Sequence, residues 1–216
     1  MTTQGPDTEV KKAGAVKAVV FDVGRVIVQW DLRCLIEKVV HDPAERDWVL
    51  AHVVTPAWHF QHDAGRRIED MVAERAALFP AHTDAIEAYA TRFNETIPGR
   101  VPGTAELIER LSDAGVPLFA ITNFGAEFWD RFAPTEPVLG LFRDIVVSGR
   151  EKLVKPDPAI FRRAAKRFGH APQDMLFIDD NADNIAGAAA EGWQTHHFHD
   201  AEALETDLAS RGLLPR

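Results

Sequence analysis

The chain has 216 residues, 46% of them apolar and 26% charged, enough for a core that needs neither disulfides nor a structural metal. Its net charge of -9 sets the surface against a phosphate backbone, and so against nucleic acid as the main partner, although a local pocket can still hold a small anion. The single cysteine, Cys34, excludes an intrachain disulfide and suits a reducing cytoplasm, and no stretch is apolar enough to span a bilayer.

Residues 1–15 are polar and lack the apolar core of a signal peptide, which predicts a disordered tail. Lys17-Ala18-Val19-Val20-Phe21 is a short apolar run rich in β-branched residues and reads as a buried parallel strand, ended by Asp22 and followed by Gly24. From Asp31 to Pro98 no good strand pattern appears, but helical patterns do, around Cys34–Val40, Pro43–Val53 and Ile68–Phe79. Thr104 to Ala114 places Leu107, Ile108 and Leu111 on one helical face, with Gly115 as its stop. A second apolar strand, Val116 to Ile121, ends at Thr122-Asn123, and a third covers Asp144 to Ser148. Asp157-Pro158 is an N-cap followed by proline at the first helical position, opening a helix through Phe168 that Gly169 ends. Met175 to Ile178 is a fourth strand ending at Asp179-Asp180, a helix follows from near Asn181 to Gly192, and Gln194 to Phe198 is a weaker fifth strand.

Strands alternating with helices predict an α/β fold with a doubly wound parallel sheet. The stretch from Asp22 to Thr122 is far longer than the dozen or so residues that a simple crossover needs (about a dozen or more). Residues 31–98 therefore read as an inserted α-helical domain, with 16–30 and 99–216 forming the α/β core.

In open parallel sheets ligands bind beyond the carboxyl ends of the strands, and the residues there are Asp22, Thr122-Asn123 and Asp179-Asp180. Three carboxylates at one edge repel one another, and a divalent cation resolves the conflict; hard oxygen ligands of this kind suit Mg2+. Lys155, just before the Pro156-Asp157-Pro158 helix start, is a further candidate for charge neutralisation.

Four ordered segments carry a resemblance: Phe21-Asp22-Val23-Gly24-Arg25-Val26-Ile27, Ile121-Thr122-Asn123, Val154-Lys155-Pro156 and Phe177-Ile178-Asp179-Asp180-Asn181-Ala182-Asp183-Asn184. Together they resemble the motifs of the haloacid dehalogenase superfamily of hydrolases, over roughly Ala18 to Phe198, and the first and last of them resemble the branch that includes bacterial glucose-1-phosphate phosphatases. The resemblance implies a Rossmann-like core, with the inserted helices as its cap, and a Mg2+-dependent phosphatase acting on a small, sugar phosphate-like metabolite. It implies that Asp22 is the nucleophile and forms an aspartyl-phosphate. Thr122 and Asn123 would hold phosphoryl oxygens, and Lys155 would neutralise charge on the phosphoryl group and on Asp22. Asp180 would be a direct metal ligand beside Asp22 and the Gly24 carbonyl, and Asp179 a supporting acid acting through water. Arg25, His59 and His62 are further candidates for substrate contact; the two histidines stand three apart, a spacing that allows one helical face.

The sequence departs from the pattern at Gly24, where most phosphatases of the superfamily carry a second Asp that protonates the leaving group. Arg25 does not replace it, since guanidinium releases no proton at working pH. The departure implies an ester that leaves easily, such as a sugar anomeric phosphate, or a proton from a cap residue or water. Two other readings stay open: a 2-haloacid dehalogenase in which Asp22 attacks carbon without metal, and a weak or inactive member used for binding or regulation. The dehalogenases have neutral residues where Asp180 stands. Cys34 reads as a small apolar filler. His196-His197-His199 reads as surface more readily than as a metal site, and Trp30, Trp58 and Trp129 read as core or interface packing. The oligomeric state is not legible.

Overall fold

The computed structural model describes residues 14–215. Most of the tail expected over 1–15 lies outside the described residues; Gly14 and Ala15 carry no regular structure. In chain order the elements are β1 (Ala18–Phe21), α1 (Arg33–Ile36), α2 (Pro43–His52), α3 (Pro56–Asp63), α4 (Ile68–Leu78), α5 (Thr83–Thr91), α6 (Thr104–Asp113), β2 (Leu118–Thr122), α7 (Ala126–Phe132), β3 (Asp144–Val147), α8 (Ser148–Glu151), α9 (Pro158–Phe168), β4 (Met175–Asp179), α10 (Ala182–Ala190), β5 (Gln194–His197) and α11 (Ala201–Ser210). Short 3₁₀ turns punctuate the connections, among them Phe93–Thr96. None of these helices is long and apolar enough to cross a membrane.

All five strands pair in parallel, in the order β3-β2-β1-β4-β5. This is the expected doubly wound α/β sheet. Alternate strand residues feed two cores. Val19, Phe21, Leu118, Ala120, Leu176 and Ile178 join the core shared with α6, α7, α11 and the helices of the long β1–β2 connection. Ala18, Val20, Phe119, Ile121, Met175 and Phe177 pack against α9 and α10. A sheet buried on both faces explains why its strands read as continuous apolar runs.

The helix ends follow local chemistry. Asp157 accepts a hydrogen bond from Ala159 N at 2.7 Å, Pro158 opens α9, and Gly169 ends it in the left-handed conformation at φ 71°. Asp42 caps α2 on Glu45 N, and Thr55 caps α3 on Trp58 N, each followed by proline.

The strand order positions the site. β1 has β2 on one side and β4 on the other, so the chain's winding reverses at β1 and opens a crevice beyond its carboxyl end. The β1–β4 register pairs Phe21 with Ile178, which makes Asp22 and Asp179 neighbours one step further on. The Asp22 N–H still donates to Ile178 O at 2.8 Å.

Candidate active site

The turn after Asp22 is built to present backbone. Ile27 N and Val28 N both donate to Val23 O, Arg25 N donates to Val28 O at 2.6 Å, and Arg25 sits at φ 60°. A Cβ added at Gly24 would meet nothing within 4 Å, so the glycine there is not required by crowding.

Asp22 is buried, and its Oδ1 accepts from Val23 N at 2.6 Å and pairs with Lys155 Nζ at 2.8 Å. Lys155 is 1% exposed and also donates to Asp179 Oδ2 at 2.7 Å. Two carboxylates on one ammonium is the arrangement that makes a buried lysine tolerable. Burial alone would pull the Lys155 pKa down, but Asp179 and Asp22 outweigh it and hold the pKa above the usual lysine range. Burial pushes the Asp22 carboxyl up to about 7, against the pull of Lys155, and the Asp179 and Asp180 charges push the same way. Asp180 is also raised, by burial and by the Asp179 charge beside it.

Lys155 is held from behind. Its backbone N–H donates to Asn123 Oδ1 at 2.9 Å, and Asn123 Nδ2 donates to Lys155 O at 3.0 Å. The Lys155–Pro156 peptide is cis. The Asn123 side chain, expected on phosphoryl oxygens, thus clamps the lysine loop, while Asn123 still lines the cavity. Thr122 is buried at the end of β2 and does not line it.

Asp22, Asp179 and Asp180 offer carboxylate oxygens that lie within 4.8 Å of one another. Three acids face one lysine, so the donor set is short of positive charge and fits a divalent cation with hard oxygen ligands. Their availability differs. Asp179 Oδ1 accepts from Asn181 N at 2.8 Å, Asn184 Nδ2 reaches both of its oxygens at 3.1 and 3.0 Å, and Lys155 takes Oδ2. Asp179 is therefore committed to protein donors, whereas Asp22 and Asp180 line the cavity. His197 fixes the Asp180 backbone, its Nε2 lying 2.9 Å from Asp180 O.

The cavity above these groups measures about 370 Å³. Its floor is polar: Asp22, Asn123, Lys155 and Asp180, with Asn181, Asp183 and Asn184 beside them. Its opposite wall is Val28, Trp30, Phe60, Phe93, Ile97 and Phe124, with Arg25, His59 and Asp63 also present. That wall differs from the polar surroundings expected for a sugar-like substrate.

The two candidate histidines part company although both belong to α3. His59 reaches the cavity, with Nδ1 at 2.7 Å from the Tyr89 hydroxyl and Nε2 at 3.2 Å from Asp63 Oδ2. His62 is fully buried on the α7 side, with Nδ1 on Arg66 O at 2.8 Å and its ring edge-on to Phe128. It does not line the cavity. A Cβ at Gly125 would stand 1.9 Å from its ring, so the β2–α7 loop closes directly on it. Arg66 and Arg67 pair with Glu74 and Glu69 and stay clear of the cavity. His196 bonds Asp207, and the His196–His199 run gathers no three-ligand cluster among the described residues. Cys34 is partly buried, and burial pushes its thiol pKa up. Trp30, expected as packing, is a cavity wall, and Asp63, Phe60 and Phe93 join it without any sequence signal.

A family model described as haloacid dehalogenase-like hydrolase matches residues 16–192. The chain is 24% identical to a sesquiterpene phosphatase of Aspergillus oryzae over 89% of its own length and 94% of that protein's. It is 25% identical to a drimenol cyclase of Aspergillus calidoustus over 90% of its own length, but spans only 36% of that protein. A haloacid dehalogenase family enzyme of Bacteroides thetaiotaomicron, solved as a magnesium complex, superposes with TM-score 0.67 at 18% identity, over 87% of this chain and 95% of that one. With the family model covering most of the chain and the same fold in the solved structure, the protein belongs to the haloacid dehalogenase-like hydrolases.

Proposed function

We propose that this protein is a magnesium-dependent phosphatase that hydrolyses a small phosphorylated metabolite through an aspartyl-phosphate on Asp22. One observation carries the reading: a strand-end carboxylate with one oxygen pinned and the other lacking a partner among the described residues, beside a buried lysine and two more acids. Residues 31–98 serve as the cap over the strand ends, since Pro56, His59 and Phe60 face Asp22 across the cavity.

In the first step Asp22 Oδ2 attacks phosphorus, and the ester oxygen departs with its bonding pair. Val23 N and Lys155 hold Oδ1, so the carboxylate is oriented before the substrate arrives. Lys155 also neutralises part of the phosphoryl charge. In the second step water attacks the aspartyl-phosphate, releasing phosphate and restoring the carboxylate. Asp179 and Asn123 act through Lys155, one on its ammonium and one on its backbone. Asp22, Asp180 and the Gly24 carbonyl would hold Mg2+, which would supply electrostatic stabilisation of the phosphoryl oxygens.

The phosphatase name carried by a relative over 94% of its length supports this reading. The dehalogenase reading needs no metal, and the clustered Asp22, Asp179 and Asp180 charges speak against it. The test is phosphate release from an aryl phosphate with Mg2+ and with EDTA, run beside halide release from a 2-haloacid. Phosphate release that EDTA abolishes and Mg2+ restores is expected. Metal-independent halide release without phosphatase activity would sink the proposal.

The missing acid gives a second prediction. Gly24→Asp has room for its side chain and places a proton donor beside the leaving oxygen. Turnover of a primary alkyl phosphate should rise by about 10²-fold, with little change for an aryl phosphate, whose leaving group needs no proton. An equal effect on both esters in steady-state assays would argue against a leaving-group role for this position.

A further inference from the structure

We infer that the organic part of the substrate is apolar: a compact hydrocarbon or aromatic monoester rather than a sugar phosphate. The inference rests on the phosphatase reading only for the phosphate end; the rest comes from the wall opposite Asp22.

That wall is made of Val28, Trp30, Phe60, Phe93, Ile97 and Phe124. Residues from four parts of the chain converge there: the segment after β1, helix α3, the stretch from the 3₁₀ turn at Phe93–Thr96 to Ile97 before α6, and the loop after β2. Phe60 is 42% exposed, so this wall presents an aromatic surface that an apolar ligand can cover.

The polar groups on this side are already engaged. His59 is bonded through one ring nitrogen to Tyr89 and faces Asp63 with the other. Trp30 stacks on its ring at 4.8 Å between centroids and Phe93 at 5.5 Å, so both its ring nitrogens and both its faces are engaged, and its side chain stays only 10% exposed where it reaches the cavity. Trp30 Nε1 and Asp63 Oδ1 have no partner among the described residues, yet both atoms are shielded from solvent and so from the cavity. Arg25 lies over the Trp30 ring at 5.2 Å, and the other polar side chains that line the cavity, Asn181, Asp183 and Asn184, follow Asp180 at the phosphate end. A polyol placed here would exchange water for carbon at most of its hydroxyls, which binding does not tolerate. A hydrocarbon gains from the same exchange. The cavity of about 370 Å³ lies at the small end of ligand pockets, about 300–1,000 Å³, and also has to hold the phosphoryl group, so the apolar part is compact.

Binding and turnover separate the two readings. Ethyl-, butyl- and hexylphosphonate, which cannot be hydrolysed, and glucose 6-phosphate are titrated with Mg2+ by calorimetry. Affinity should rise by about fourfold per methylene from ethyl to hexyl, and glucose 6-phosphate should bind more weakly than hexylphosphonate. Phe60→Ser should flatten the rise, and a urea curve checks directly that this exposed position leaves the fold intact. Equal affinity across the phosphonates, or tighter glucose 6-phosphate, overturns the inference. Acetyl phosphate, which has almost no organic part, reports the phosphoryl chemistry alone. Its hydrolysis alongside a flat phosphonate series leaves the phosphatase reading standing and removes this one. A steep phosphonate series without acetyl phosphate hydrolysis does the reverse.

Discussion

Asp22→Asn lowers turnover of phosphate monoesters by on the order of 10⁴-fold while the protein remains folded and at least as stable as wild type. The two halves of this expectation have separate causes. An amide has no anionic oxygen to attack phosphorus, so the covalent step is lost. The shape is kept: the amide oxygen still accepts from Val23 N, and Lys155 still has Asp179 at 2.7 Å. Burial pushes the Asp22 carboxyl up to about 7, which means that the folded protein without metal holds a carboxylate it would rather protonate. A neutral side chain removes that cost. Phosphate release gives the first quantity and the urea midpoint the second. Turnover close to wild type would take Asp22 out of the chemistry. A loss of activity matched by a loss of stability would show that the residue is structural.

Where the sequence was readable and where it was not follows from what each element buries. The strands were legible because both faces of the sheet are covered, so their residues are apolar without interruption. Helix α9 was legible from Asp157-Pro158 at one end and Gly169 at the other. Helix α3 was not, because its buried residues include His59, His62 and Asp63, and polar side chains on a buried face erase the apolar period. Helices α5, α7 and α11 also carried no expectation. The strand-end residues Asp22, Asp179 and Asp180 were legible as a group, since a parallel sheet brings its carboxyl ends together. The Asn123–Lys155 clamp was not, because it joins two loops 32 positions apart through side chain and backbone. The cavity wall was illegible for the same reason: Trp30, Phe60, Phe93 and Phe124 meet only after the chain has folded, and each alone looks like core.

Lys155→Met tests whether the site is held together by charge. The methionine matches the lysine stem in length and can lie on the Phe177 ring, which Lys155 Nζ approaches to 5.4 Å, so packing is largely kept. What is lost is the ammonium between Asp22 and Asp179. Removing one partner of a buried ionic cluster leaves uncompensated charge and costs about 3–5 kcal/mol, a large part of the stability of an ordinary domain, about 5–15 kcal/mol. Turnover should fall with it, because Asp22 loses a donor that orients it and the phosphoryl group loses a counter-charge. Mg2+ distinguishes this account from simple misfolding. With the lysine gone, the three carboxylates meet a cation with more net negative charge than before, so added Mg2+ should raise the urea midpoint more in the variant than in wild type. Equal stabilisation of both proteins by Mg2+ would mean that the lysine and the cation do not share the same charge, and the picture of one ammonium and one divalent ion dividing three acids between them would fail.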